Sequence, residues 1–109
     1  MTDTIKIRSL NDSFRQILVF GGTVLLTPGV TSLPIERQAQ LLELVRKFDR
    51  FTLGNDPHGE HDFGSIELDA TRYFFRLDYY DETGRFASPD PADPTVTQRV
   101  MTIMRADEY

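Results

Sequence analysis

Residues 64–80 read Gly-Ser-Ile-Glu-Leu-Asp-Ala-Thr-Arg-Tyr-Phe-Phe-Arg-Leu-Asp-Tyr-Tyr, and this stretch decides the fold class. Apolar and polar side chains alternate on both sides of a short polar link. Two runs of period two predict an antiparallel hairpin of strands 64–69 and 72–80. Aromatic residues on both faces of the second strand predict that it lies in the middle of its sheet. Residues 85–87 are expected to return as a short edge strand.

Helical spacing of apolar residues predicts helices on both sides of this hairpin. One helix is expected at 4–17 and the most regular one at 35–48. A short strand is expected at 23–27, between them. A rival interpretation makes the glycine pair 21–22 the turn of a hairpin, because Gly-Gly is a recognised two-residue turn.

The last helix is predicted at 94–106. Its start is indicated by Asp93, a capping carboxylate, followed by Pro94 at the first helical position. The whole pattern predicts an α+β domain in which three main helices pack on a small, mainly antiparallel sheet, in the order α-β-α-β-β-(β)-α. The helices at 35–48 and 94–106 should cover the hairpin. The residues expected to be buried are Leu41, Val45, Phe48, Phe75, Leu77, Val100 and Met104.

Length and composition predict one soluble domain spanning residues 1–109. Of the 109 residues, 39% are hydrophobic, which suffices for a folded core. The sequence has no cysteine, which excludes disulfides, thiol nucleophiles and cysteine-ligated zinc. It has no apolar run of about 18 residues and no signal-like start. We therefore expect a cytoplasmic protein without membrane contact.

Negative charge is concentrated in the middle of the chain. Residues 55–93 contain ten acidic residues and three arginines, whereas residues 1–54 contain seven basic and five acidic residues. Such a segment repels nucleic acid phosphates and attracts basic protein surfaces. The acidic residues that we expect to contact a basic protein partner are Asp56, Glu60, Asp62, Asp81, Glu82, Asp90 and Asp93. The alternative is that these acids form a solvent-exposed face that only keeps the protein soluble.

Residues 55–64, Asn-Asp-Pro-His-Gly-Glu-His-Asp-Phe-Gly, gather both histidines with three carboxylates and no basic residue. Imidazole and carboxylate groups bind zinc and related divalent metals, so a metal site is one interpretation. Its candidate ligands are His58, His61, Asp56, Glu60 and Asp62. The other interpretation is an ordered turn system bonded to itself, because Asn, Asp, Pro and Gly favour turns. On that interpretation Phe63 anchors the loop in the core and the protein needs no cofactor.

Motifs of several enzyme classes are missing from the sequence. It contains no Gly-x-Ser-x-Gly elbow, no phosphate-binding loop and no helical His-Glu-x-x-His pair. Basic residues cluster only on the first two predicted helices, and a solvated helix face explains them. We therefore expect neither an enzyme of these classes nor a nucleic acid partner.

Several segments together resemble a domain-of-unknown-function family of small bacterial proteins, often carried on plasmids or other mobile elements. These segments are Leu-Asn-Asp-Ser-Phe-Arg (10–15), Leu-Thr-Pro-Gly-Val (26–30), Asn-Asp-Pro-His-Gly-Glu-His-Asp-Phe-Gly (55–64), Leu-Asp-Tyr-Tyr-Asp (77–81), Ser-Pro-Asp-Pro-Ala-Asp-Pro (88–94) and Arg-Val-Met-Thr-Ile-Met (99–104). The resemblance covers nearly the whole chain. It implies no activity, but small acidic proteins of such elements are often inhibitors of host defence systems.

Two classes of function follow from these observations. The favoured one is a non-catalytic protein-interaction module with an acidic surface, as in a mobile-element inhibitor of a nucleic-acid-binding defence complex. The alternative is a small metal-dependent or acid–base enzyme centred on His58 and His61. The missing nucleophile and phosphate motifs favour the first class.

Overall fold

A computed structural model describes residues 2–109 of the protein. Its elements are helix α1 (Thr2–Ile17), strand β1 (Thr23–Leu26), the single-turn helix α2 (Pro28–Thr31), helix α3 (Ile35–Lys47), strands β2 (Phe63–Leu68), β3 (Thr71–Tyr80) and β4 (Gln98–Arg105), and a 3-10 turn at Ala106–Glu108. The predicted α+β class is confirmed. Within this part of the chain, no helix has the length and apolar character needed to cross a membrane.

The four strands form one mixed sheet in the order β1-β4-β3-β2. Strand β3 pairs antiparallel with β2 on one side and with β4 on the other, whereas β1 runs parallel to β4. The predictions of a mainly antiparallel sheet and of a central 72–80 strand are therefore confirmed. The edge strand predicted at 85–87 is reduced to a single bridge between Tyr80 and Ala87.

The β2–β3 hairpin is closed by the two-residue turn Asp69-Ala70. Both residues have positive φ angles, 52° and 63°, and Leu68 pairs directly with Thr71. Two successive left-handed residues match the right-handed twist of the flanking strands. Aspartate tolerates this region better than most residues because its short side chain can bond to nearby backbone. The turn therefore closes the hairpin that the alternation predicted and fixes its register.

The helix predicted at 94–106 is wrong, because residues 98–105 form strand β4. The spacing of Val100, Ile103 and Met104 fits a helix, but this strand lies between two others and has apolar side chains on both faces. A strand that is apolar on both faces loses the contrast of period two, so helix and strand cannot be told apart by pattern alone. The predicted element order ends incorrectly for this reason.

Asp93 caps a turn and does not begin a helix. Its Oδ1 accepts hydrogen bonds from the backbone N–H of Thr95 at 2.9 Å and from the Thr95 hydroxyl at 2.6 Å. The same short side chain that favours helix starts also closes turns of this kind. The proline-rich segment therefore leads directly into β4, and the sheet gains a fourth strand where a helix was expected.

Helices α1 and α3 confirm the predictions at 4–17 and 35–48. Leu18, with a φ angle of 66°, follows the last residue of α1, and the rival hairpin around the glycines is wrong. Gly22 is required by a close approach: a Cβ there would lie 2.5 Å from the Arg99 carbonyl oxygen and 2.7 Å from the Phe14 ring. The chain can thus pass from α1 into β1 tightly against β4.

The main core lies between one face of the sheet and the helices. It joins Phe14 of α1 and Leu41 of α3 to Phe75 and Ile103 at the middle of the sheet. Among the predicted core residues, Leu41, Val45, Phe75, Leu77 and Met104 are buried, whereas Phe48 and Val100 are half-buried.

The other face of the sheet carries a smaller aromatic cluster. Phe63 and Phe74 have ring centroids 4.9 Å apart, and Tyr109 lies 5.5 Å from Phe74. Gly64 faces Phe48 and Phe75 in the main core, so its neighbour Phe63 points to the opposite side. The prediction that Phe63 anchors the loop in the main core is therefore wrong.

Candidate functional site

The histidine-containing loop folds on itself between α3 and β2. The N–H of Asp56 donates to the Thr52 carbonyl at 2.8 Å, and the N–H of Gly59 donates to the Asp56 carbonyl at 3.1 Å. The buried Asp56 carboxylate accepts the N–H of His61 at 3.1 Å. The predicted self-bonded turn system is confirmed, and Asp56 is its centre.

His61 is held on three sides. Its ring stacks on Phe51 with centroids 3.8 Å apart and planes within 3°. Its Nδ1 lies 2.8 Å from Asp12 Oδ1, and its Nε2 lies 3.7 Å from Asp56 Oδ2. The side chain is 23% exposed, and its φ angle of 56° is left-handed. Position and orientation of the imidazole are therefore fixed by α1 and by the loop.

Arg15 connects Asp12 to the end of α3. It is 2% exposed, and its Nη2 pairs with Asp12 Oδ1 at 3.0 Å. Its Nη1 donates to the carbonyls of Val45, Arg46 and Phe48 at 2.7–3.2 Å. Val45 and Arg46 belong to the last turn of α3 and Phe48 follows it, and carbonyls at a helix end lack the hydrogen bonds of the helix interior. Asp12 thus accepts from Arg15 and His61 together and ties the loop to both helices.

A second polar network is buried beside the loop. Asn11, fully buried, accepts from Arg99 Nε at 2.6 Å through its Oδ1. Its Nδ2 donates to the Tyr79 hydroxyl at 2.8 Å and to the Glu60 carbonyl at 3.0 Å. The Tyr79 hydroxyl donates to Glu60 Oε1 at 2.8 Å. Arg99 also donates to the Pro91 carbonyl at 2.6 Å, so five segments of the chain meet here.

Burial controls the ionisation of this network. Desolvation raises the pKa of Tyr79 far above its usual value, so the phenol stays protonated and donates to Glu60. Desolvation also lowers the pKa of Arg99 below its usual value. The pKa of Asp62 is raised, first by burial and then by repulsion from Glu60. Charges at this end of the sheet are therefore partly desolvated and interact with one another.

The five predicted metal ligands have different environments and different hydrogen-bond partners in the fold. His58 is exposed, Asp56 is buried under the loop, and Glu60 accepts the Tyr79 hydroxyl. His61 is oriented by Asp12, a residue outside the predicted set. Across residues 2–109, no group of three histidine or carboxylate side chains is arranged to hold a metal ion. The metal site stays a prediction, and any divalent ion bound here would have to displace these hydrogen bonds.

The arrangement at His61 orients an imidazole, and the described contacts place a carboxylate near its second ring nitrogen. An Asp–His pair with this geometry serves catalysis when a hydroxyl or thiol lies beside the second ring nitrogen. The polar neighbour of Nε2 in the described contacts is the Asp56 carboxylate, which is no nucleophile for this purpose. The pair therefore has the geometry of a clamp between α1 and the loop.

The remaining predicted acids lie on the segment that joins β3 to β4. Glu82 and Asp90 are exposed, and Asp81 and Asp93 are half-exposed. Asp81 Oδ1 accepts from the N–H groups of Thr83 and Arg85 and from the Thr83 hydroxyl. This segment borders the histidine loop, because both lie along β3. The Asp62 carbonyl accepts from the Leu77 N–H, and the Ser88 N–H donates to the Tyr79 carbonyl. The two acidic stretches are thus neighbours at one end of the sheet.

Sequence reasoning missed the partners that α1 supplies. Asn11 and Asp12 lie 49 or more residues before the loop and strand residues that they bind, and Arg15 lies 30–33 residues before the carbonyls that it binds at the end of α3. One signal was present: Asn11 falls on the helical stripe of Ile7 and Phe14, where an apolar residue is expected. A buried polar residue on such a stripe needs partners from elsewhere in the fold.

Comparisons with known proteins give one match. A model of the family described as "Protein of unknown function (DUF3768)" matches residues 26–108, which is more than half of the chain. The match includes Glu60, His61, Tyr79 and Arg99, whereas α1 precedes it. No curated protein and no solved structure matches the chain.

Proposed function

The chain belongs to the DUF3768 family, and we propose that this member is a non-catalytic protein-interaction module with an acidic docking surface. The side chains that could take part in acid–base chemistry support this proposal, because they form hydrogen bonds within the fold. His61, Tyr79 and Glu60 are engaged in hydrogen bonds that join α1, the loop and the sheet. Hydrogen-bonded networks of this kind make a structure rigid, which supports a structural role for these side chains.

The observation that carries the proposal is the distribution of unpaired acids. Glu67, Asp69 and Asp78 each form an ion pair with an arginine. In the described ion pairs of residues 2–109, none of the acids on the β3–β4 segment takes part. We call this set the acidic loop surface, and its members are Asp81, Glu82, Asp90 and Asp93.

Two carboxylates of the acidic loop surface, Asp81 and Asp93, are held by hydrogen bonds within their own turns. Hydrogen bonds from Thr83 lower the pKa of Asp81, and hydrogen bonds from Thr95 lower the pKa of Asp93. Both carboxylates therefore remain charged at neutral pH. Loops held by their own side chains lose less conformational entropy on binding than free loops do. An array of carboxylates on neighbouring turns is suited to a basic protein surface.

The partner class follows from the charge, and its biological setting follows from the resemblance. Carboxylates attract lysine and arginine side chains and repel phosphates, so the proposed partner is a protein with a basic surface. The resemblance to small proteins of bacterial mobile elements extends the proposal to a cytoplasmic inhibitor of a nucleic-acid-binding defence complex. On this proposal the acids occupy the basic surface that would otherwise bind nucleic acid.

Capture from a bacterial lysate tests the proposal. The test variant is Asp81→Asn, Glu82→Gln and Asp93→Asn, which removes charge but keeps oxygen acceptors in the turns. The matched control, Asp3→Asn, Glu36→Gln and Asp107→Asn, changes the net charge equally on other elements. We expect the native protein and the control to retain a basic protein that the test variant loses. Equal capture by all three proteins would contradict the acidic docking surface.

A further inference from the structure

Strand β2 is an outer strand of the sheet, and one side of its backbone is open. The N–H of Leu77 donates to the Asp62 carbonyl, which starts the hydrogen-bonded pairs between β2 and β3. In an antiparallel ladder these pairs alternate with unbonded ones. The backbone groups of Gly64 and Ile66 therefore point towards β3, and those of Ser65 and Glu67 point outward. No backbone hydrogen bond of the described chain uses these outward groups.

This edge lacks the usual features that protect a strand from pairing. Natural edges are blunted by lysines, prolines, bulges or very short strands. Strand β2 is six residues long, with Glu67 as its one charged residue and no proline. Its pairing with β3 proceeds residue for residue from Phe63 to Leu68, without a bulge. The edge is thus competent to accept a further strand.

A groove of about 460 Å³ follows the same edge, between β2 and the outer side of α3. Leu44 and Phe48 of α3 line it opposite Ile66. A second hollow continues it along α3 to Leu68. Along the groove, Glu43 lies near Leu68, at the end of β2. Lys47 and the residues after it, Asp49 and Arg50, lie near Ser65 and Ile66, so α3 runs antiparallel to β2.

We propose that this edge binds a second copy of the chain, with β2 pairing antiparallel to β2 of the partner across a twofold axis near Ile66. The outward backbone N–H and C=O groups of Ser65 and Glu67 determine the register of this pairing. Pairing Ser65 with Glu67 of the other copy makes about four backbone hydrogen bonds. It also places the Ser65 hydroxyl beside the opposite Glu67 carboxylate and the two Ile66 side chains beside each other. The two sheets then form one continuous sheet of eight strands.

The charges along the groove favour a second copy over a foreign peptide. They are of mixed sign, with Glu43 and Lys47 one helical turn apart on the groove side of α3. A twofold axis places the two α3 helices antiparallel, so that Glu43 of each copy lies towards Lys47 of the other. A surface that is complementary to itself in this way is what an isologous contact requires. The inference is independent of the acidic loop surface.

Sedimentation analysis of the purified full chain over a range of concentrations tests the proposal. We expect a reversible dimer of the native protein. Ser65→Pro removes an outward N–H without removing a bond to β3, and it should raise the dissociation constant on the order of tenfold or more. Ser65→Ala keeps that N–H and is the matched control, with a smaller effect. A native protein that stays monomeric at the highest attainable concentration would overturn the proposal.

Charge variants keep the test decisive if Ser65→Pro does not fold. Lys47 is 75% exposed on its side chain, so Lys47→Glu leaves the core intact. Lys47→Glu and Glu43→Lys should each weaken the dimer, and the double exchange should restore it because both copies change sign together. Dimers that are indifferent to all three charge variants would show that another surface is used, and would equally overturn the proposal.

Discussion

Replacing Asn11 with alanine should destabilise the protein by about 3–5 kcal/mol. The side chain is fully buried and makes three hydrogen bonds, to Arg99, Tyr79 and the Glu60 carbonyl. Alanine removes all three and supplies nothing in return. The free energy of unfolding should fall because Arg99 Nε and the Glu60 carbonyl lose their partner, while the Tyr79 hydroxyl keeps only its bond to Glu60.

The magnitude follows from the kind of each partner. Leaving a buried charged donor such as Arg99 Nε unpaired costs about 1.5–3 kcal/mol, and each neutral bond contributes roughly 0.5–1.5 kcal/mol. Tyr79→Phe is the matched comparison: it removes only the hydroxyl, which accepts from Asn11 and donates to the Glu60 carboxylate, and it should cost about 2–4 kcal/mol. Because Asn11 and Tyr79 share a bond, the double variant should lose less than the sum of the two single losses.

Urea denaturation followed by circular dichroism measures this effect. The midpoint should shift while the dependence on urea concentration stays constant, which indicates an unchanged unfolded state. If Asn11→Ala lost less than about 1 kcal/mol, the network would not stabilise the fold, because that loss is expected from one ordinary bond. The same result would reopen the loop residues to other functions.

Three further perturbations test the packing and the electrostatics. Phe75→Ala should cost about 3–5 kcal/mol in the same denaturation experiment, because Phe75 is fully buried at the centre of the core. Gly22→Ala should lower stability by roughly 1–3 kcal/mol, because its Cβ would lie 2.5 Å from the Arg99 carbonyl oxygen and force β1 from β4. Asp62→Asn should raise the free energy of unfolding at neutral pH. The pKa of Asp62 is higher in the folded protein than in the unfolded chain, so the folded state loses stability as the pH rises through the unfolded pKa. Below the unfolded pKa, Asp62→Asn should give no gain. A gain for Asp62→Asn that is equal at low pH would contradict the electrostatic cause.

The sequence predicts those elements whose side chains differ between two faces. Helix α3 buries Leu41 and Val45, whereas Arg37, Arg46 and Lys47 are exposed, so its period of 3.6 is clear in the sequence. The β2–β3 hairpin shows the same contrast at period two. Strand β4 does not, because its middle residues Val100, Met101, Ile103 and Met104 are apolar on both faces, whereas one face of β3 carries the polar Arg72, Arg76 and Asp78. The strand propensity of its residues does not outweigh the preceding Asp93-Pro94 pair, which resembles a helix start.

The candidate site was only half predictable. Turn-forming residues made the internal bonding of the histidine loop foreseeable, and Asp56 carries it. The partners of the loop could not be foreseen, because Asp12 and Asn11 reach it from a helix at the other end of the chain. Long-range contacts of this kind depend on how the helix packs on the sheet. Only the misplaced polarity of Asn11 within an apolar stripe marks the position in advance.

We propose that the acidic loop surface docks a basic protein, and association rates test this proposal most directly. With the captured partner immobilised, the association rate of the native protein should be high at low salt and fall steeply as salt is added, because exposed charges are screened. The variant Asp81→Asn, Glu82→Gln and Asp93→Asn should associate slowly at every salt concentration, with a much weaker salt dependence. Identical rates and identical salt dependence for the native protein and this variant would contradict the account.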